Sequence, residues 1–297
     1  MGYSKNIASG MFAMLLLASA VLSSNPHPLQ DFCVADLDGK AVSVNGHMCK
    51  PMSEAGDDFL FSSKLAKAGN TSTPNGSAVT DLNVAEWPGT NTLGVSMNRV
   101  DFAPGGTNPP HIHPRATEIG IVMKGELLVG ILGSLDSGNK LYSRVLDVAE
   151  WPGTNTLGVS MNRVDFAPGG TNPPHVHPRG TEIGMVMKGE LLVGILGSLD
   201  SGNKLYSRVV RAGETFLIPR GLMHFQFNVG KTEAYMVVSF NSQNPGIVFV
   251  PLTLFGSNPP IPTPVLTKAL RIEAGVVELL KSKFAGGLDL LTKDDTQ

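Results

Sequence analysis

Two histidines one residue apart, His175 and His177, are followed by Glu182, and a third imidazole, His224, lies further along the chain. On an extended strand, residues i and i+2 project to the same face, so His175 and His177 converge. Glu182 follows closely enough to come from the next strand of a hairpin. Three neutral imidazoles and one carboxylate form a mixed, fairly hard ligand set. Such a set can hold an octahedral divalent ion and leave positions for water or substrate, which suits manganese or iron better than a closed zinc site rich in sulfur ligands. Affinity alone does not select manganese. A lone His-x-His is more often a pair of ordinary core or surface histidines. Here the chain has seven histidines, and five of them fall in two such pairs plus His224. The second pair, His111 and His113, has its own acid, Glu118.

The two pairs belong to a tandem repeat. Segments 84–147 and 148–211 are each 64 residues long and differ only at Ile112/Val176, Ala116/Gly180, Ile121/Met185, Leu146/Val210 and Asp147/Arg211. Solenoid units are shorter and more numerous, so two near-identical copies read as a recent duplication or as duplicated exons joined in a gene model. Each copy reads as strands. In copy 2, residues 157–166 alternate in part, 191–196 is a short apolar run, and Asp200-Ser-Gly-Asn is a turn. Beyond the repeat, 215–218 and 235–240 are further strands. Short strands at this spacing predict a sandwich or barrel. After Pro262 and Pro264 the apolar period becomes helical (Val265, Leu266, Ala269, Leu270; Val276, Val277, Leu279, Leu280), which predicts two short helices.

Residues 1–23 have the layout of a secretory leader: one lysine and no acid, an apolar run of about a dozen residues, then small residues. That run is too short to span a bilayer, and no later stretch is long and apolar enough. In the oxidising compartment this implies, the only two cysteines, Cys33 and Cys49, are expected to pair. Asn70 and Asn75 head N-glycosylation sequons in a polar, loop-like stretch. A net charge of −2 offers no basic patch and no nucleic-acid signature. With 34 glycines, 21 prolines and 16% charged residues, the composition suits a compact all-β protein.

The string Gly-x5-His-x-His-x4-Glu-x6-Gly, from 169 to 189, resembles the first sequence box of germins. Gly-x5-Pro-x-Gly-x2-His-x3-Asn, from 213 to 228, resembles the second. The stretch Asp31-Phe-Cys-Val-Ala-Asp, the region of Cys49, the segment from Ala149 to Asn162 and the C-terminal helices are also similar to the true cereal germins. The resemblance covers the whole chain after the leader except the extra copy. It implies an all-β cupin jelly-roll barrel with short C-terminal helices, secreted to the apoplast and assembled as a hexamer, a trimer of dimers. It implies one manganese ion per complete barrel, held by His175, His177, Glu182 and His224. It also places the family's two substrate-side amides on Asn162 and Asn172, where they can hydrogen-bond the carboxylate oxygens of oxalate without adding charge. True germins are oxalate oxidases, taking oxalate and O2 to carbon dioxide and hydrogen peroxide. The wider germin-like group leaves two other readings open: a manganese superoxide dismutase, and a wall or defence glycoprotein whose metal is structural.

The duplication departs from the family pattern. Copy 1 carries His111, His113 and Glu118 with Asn98 and Asn108, but no second box follows before copy 2 begins, so one complete barrel can form. Copy 2 is contiguous with His224 and closes the shorter loop, which favours it for the working site; the copies are too alike for the sequence to forbid the reverse, with copy 1 in the barrel and copy 2 displaced. Copy 1 is then expected to be half a barrel with unpaired edges and an apolar face. The expected organisation is a leader (1–23), an N-terminal arm with the disulfide and sequons (24–83), a duplicated partial segment (84–147), the complete barrel (148–262) and the C-terminal helices (263–297).

Overall fold

A computed structural model of the chain describes residues 29–39, 46–132, 141–144 and 156–285. The predicted leader lies outside them. Fourteen strands are present among the described residues. Ten of them form two antiparallel five-stranded sheets. One sheet has the order β1 (Phe61–Ser62), β11 (Thr215–Ile218), β8 (Glu182–Lys188), β13 (Ala234–Phe240), β6 (Ser160–Phe166). The other runs β10 (Leu205–Arg211), β9 (Glu190–Leu196), β12 (His224–Asn228), β7 (Thr171–Val176), β14 (Val248–Phe249).

Inward positions alternate along these strands, as a two-sheet core requires. Leu191, Val193 and Ile195 on β9 are fully buried, and they join a core with Val186, Phe216 and Met236 from the opposite sheet. The chain passes from β8 to β9 at Gly189, whose φ of +83° suits glycine. A Cβ there would sit 2.6 Å from that of Ala234, so the turn also needs the missing side chain.

The N-terminal arm is fastened to this sandwich. Cys33 and Cys49 form a disulfide. Phe32 enters an edge-to-face trio with Phe59 and Tyr206. Asn70 and Asn75 are exposed, as a glycosylation acceptor must be.

Among its described residues, copy 1 is divided between the sandwich and separate two-stranded sheets. Its first ten residues complete the core: Trp87 is buried and donates from Nε1 to the carbonyl of Phe59 at 2.7 Å. Its strand β3 (Met97–Phe102) then pairs with β2 (Ser77–Leu82) in a separate two-stranded sheet. After β3 the chain runs exposed and without described strands to β4 (Val129–Leu132), which pairs with β5 (Leu141–Arg144). Because β3 and β6 share the sequence Met-Asn-Arg-Val-Asp-Phe, either could pair with β2 in the same register. The structure gives β2 to β3, the strand nearer in sequence. The shorter connection is favoured by on the order of 1–2 kcal/mol of loop-closure entropy. As a result β6 pairs only with β13, and its other edge carries no strand among the described residues.

Among the described residues, three helices follow the sandwich rather than two: Val250–Phe255, Thr263–Leu270 and Ala274–Phe284. The first falls inside the span expected to be barrel. Its apolar Val-Pro-Leu-Thr-Leu-Phe reads equally well as strand, and proline at its second position suits a helix start. No helix among the described residues is long and apolar enough to cross a membrane.

Candidate metal centre

His175, near the end of β7, stands directly across the ladder from His224, the first residue of β12. His177 lies just past the end of β7, and its buried ring joins the other two. Glu182 does not come from a hairpin partner of β7. Residues 177–181 cross the sandwich, and Glu182 opens β8 in the opposite sheet. The four side chains are all buried, and their ligand atoms lie within 4.8 Å of one another. The centre therefore ties the two sheets together at one end of the core.

Each imidazole is oriented by a backbone carbonyl. Nδ1 of His175 lies 2.7 Å from the oxygen of Pro173, that of His177 2.5 Å from Gly246, and that of His224 2.9 Å from Leu222. A carbonyl only accepts, so each Nδ1 carries a proton and each Nε2 is turned toward the centre, where that of His177 can hold a second proton against Glu182. Oε2 of Glu182 is 3.1 Å from Nε2 of His177 and 3.4 Å from Nε2 of His224.

The protonation states suit a cation. Burial holds His175 down to about 3, with His224 adding to the effect, so its ring is neutral. Burial alone would raise Glu182, but the contacts with His177 and His224 outweigh it and hold the carboxyl down at about 2. Burial also pulls His177 down, yet its contact with Glu182 more than offsets this and leaves it raised. A metal ion would displace that proton. Two buried polar atoms, Oε1 of Glu182 and Nε2 of His224, have no hydrogen-bond partner. Orphans of this kind are costly inside a core. An ion seated among the four ligands would satisfy both, and three imidazoles with one carboxylate fit such an ion.

The two asparagines stand differently. Asn172 is half-buried, and its amide donates to Oε1 of Gln226 at 2.9 Å. Asn162 is exposed on β6. It pairs through Val238 with Gly184, two residues from Glu182, and so lies on the same face of the sheet as Glu182.

Several neighbours were not anticipated. Gln226 is fully buried two residues beyond His224, and its Nε2 has no partner. Strand alternation from His224 was the signal that could have found it. The rings of Phe240 and Phe249 approach His177 and His175 at 4.7 and 5.5 Å. Both come from distant parts of the chain, and no local pattern marks them. In copy 1, His111, His113 and Glu118 also come together, but all three are exposed, as are Asn98 and Asn108.

A family model described as Cupin matches residues 63–146 and again 136–278. The chain belongs to the cupin family. Among its relatives, "Oxalate oxidase GF-3.8" of Triticum aestivum is 75% identical over 97% of this chain and 100% of its own length. "Germin-like protein 3-6" of Oryza sativa subsp. japonica is 58% identical over 95% and 97% respectively. A solved structure described as recombinant oxalate oxidase in complex with glycolate is 72% identical, covering 89% of this chain and 100% of that one, with a TM-score of 0.44. This cupin is thus of the germin kind. Its first box spans the crossing from β7 to β8, and its second ends on β12.

Proposed function

We propose that this cupin is a secreted oxalate oxidase that uses one manganese ion per complete barrel. The observation that carries the reading is the buried quartet with its two orphaned ligand atoms, in a chain 75% identical to a wheat oxalate oxidase. The overall reaction would be oxalate, O2 and two protons to two molecules of carbon dioxide and one of hydrogen peroxide. His175, His177, Glu182 and His224 would hold the ion. Bound there, it would supply Lewis acidity toward a dianionic substrate and a path for electrons to oxygen.

The chain's own part is placement. Asn172, steadied by Gln226, and Asn162 on the Glu182 face offer neutral amide donors to the carboxylate oxygens of oxalate. Phe240 and Phe249 keep the imidazole side of the centre dry, which strengthens every electrostatic contact within it. The ionised Glu182 offsets one positive charge of the ion, so the site can accept a dianion without becoming strongly negative.

The wider setting belongs to the same proposal. The apolar run at the start of the chain, the Cys33–Cys49 disulfide and the two exposed sequon asparagines support secretion to the apoplast, with glycans at Asn70 and Asn75. Exposed Val265, Leu270, Val276 and Leu279 on the last two helices support assembly of copies into a hexamer. The proposed organisation remains a leader, an arm, a duplicated partial segment whose first residues join the core, the barrel and the helices.

The test is oxalate-dependent hydrogen peroxide release by the secreted protein, run beside superoxide scavenging on the same sample. Peroxide that requires oxalate supports the reading. Scavenging without it would move the assignment to a dismutase, and neither activity in metal-loaded protein would move it to a structural metal.

A further inference from the structure

Copy 1 carries the same ligand string outside the barrel, and the fold brings it to nearly the same local shape. The ring centroids of His111 and His113 stand 4.9 Å apart at 89°, against 5.0 Å and 86° for His175 and His177. Nδ1 of His111 lies 2.8 Å from the carbonyl oxygen of Pro109, the counterpart of the His175–Pro173 contact. That contact fixes the tautomer and leaves Nε2 free for a ligand role. Nε2 of His113 is 3.1 Å from Oε2 of Glu118, the distance that separates His177 from Glu182. Nε2 of His111 is 4.0 Å from the same oxygen. All three ligand atoms lie within 4.8 Å of one another.

Among the described residues, no strand of either five-stranded sheet pairs with this stretch. It is therefore built locally, by the proline-rich stretch around the two histidines, and does not need His224.

We propose that His111, His113 and Glu118 form a second divalent-cation site, open to solvent, with water in the place that His224 takes in the barrel. Two imidazoles and one carboxylate on one side of an ion leave several positions free. With the His111, His113 and Glu118 side chains 45%, 47% and 67% exposed, the ion exchanges readily and a chelator reaches it. At a site with no cage to impose geometry, the intrinsic order of affinities applies. Cobalt, nickel, copper and zinc are therefore favoured over manganese. The inference stands on copy 1 alone and is independent of the reaction carried out in the barrel.

The experiment titrates Co2+ into the full-length protein, after metal loading and a chelator wash, and counts all metals per chain by mass spectrometry while following the visible Co2+ absorption. The same titration is run on a His111→Ala/His113→Ala chain and on Glu118→Gln. The expected result is one more Co2+ per chain in the unaltered protein than in the double variant, with the barrel ion unchanged in both. Glu118→Gln should weaken uptake by at least the ~10–100-fold that loss of an outer-shell partner costs a metal site. The replaced rings are half-exposed, so unchanged melting temperatures will show that the variants fold. Equal Co2+ uptake in the unaltered chain and the double variant overturns the proposal. Uptake matched by an equal loss of the barrel ion overturns it as well.

Discussion

Replacing Trp87 by alanine tests how the fold divides the two copies. Trp87 is 3% exposed, and its indole N–H donates to the buried carbonyl of Phe59. Its first-copy neighbours Thr90 and Asn91 are buried beside it, with Thr90 donating to the Trp87 carbonyl at 2.9 Å. Emptying such a site costs about 3–5 kcal/mol in transfer and cavity terms. Leaving the Phe59 carbonyl unpaired adds about 1–3 kcal/mol unless water enters. For a domain of this size each kcal/mol lowers the melting temperature by about 2–4 °C. With water satisfying that carbonyl, a cost near 4 kcal/mol predicts a fall of roughly 8–16 °C. The equivalent residue of copy 2, Trp151, lies outside the described residues. The site against Phe59 is already filled by Trp87, so Trp151→Ala should lower the melting temperature by less than half as much. Calorimetry on the two purified variants reads this directly. Trp151→Ala falling as far as Trp87→Ala, or further, would refute the assignment of copy 1 to the core.

Deleting residues 84–147 leaves a single copy, and β6 becomes the only partner of its sequence for β2. Amide hydrogen exchange on β6 should slow while metal per chain stays the same; unchanged exchange would contradict the competition between β3 and β6. Asp101 on β3 is pushed up by burial, but Arg99 and the N–H of Gly69 outweigh this and hold its carboxyl below the usual range. Its contribution to the β2–β3 sheet is therefore present above the unfolded carboxylate pKa and is lost as pH falls through the lowered folded value. Protection of the Gly69 amide, relative to its intrinsic exchange rate, should be lost over that acid range in the native chain and be missing at neutral pH in Asp101→Leu. Cys33→Ser opens a loop with a sequence separation of 16, which should cost about 3 kcal/mol in denaturant unfolding. No loss would mean that the arm's packing holds it without the bond.

The buried quartet was legible because metal chemistry fixes residue type and spacing together, and little else demands His-x-His with a nearby acid and a later histidine. The route to Glu182 was not. Local spacing favours a hairpin, but the strand that follows β7 pairs with β11 and β13 across the sandwich, and that choice is made by distant strands. Gln226 could be reached by alternation, whereas Phe240 and Phe249 could not. The helix Val250–Phe255 was hidden by a run that fits either period. Least legible was the fate of copy 1. Two copies that differ at five positions have the same propensities and patterns. What separates them is connection length and which strand reaches a partner first, properties of the whole chain rather than of either segment. Hence Trp87 sits in the core while His111 and His113, in the same copy, face solvent.

A metal centre assembled from copy 2 and His224 should be lost with either and should survive changes in copy 1. The measurement is manganese per chain in His175→Ala/His177→Ala, in His111→Ala/His113→Ala and in His224→Ala, each purified like the unaltered protein. About one ion per chain is expected in the unaltered protein and in the copy 1 variant, and almost none in the other two. Metal kept when His175 and His177 are lost, and lost when His111 and His113 are replaced, would place copy 1 in the barrel and contradict it.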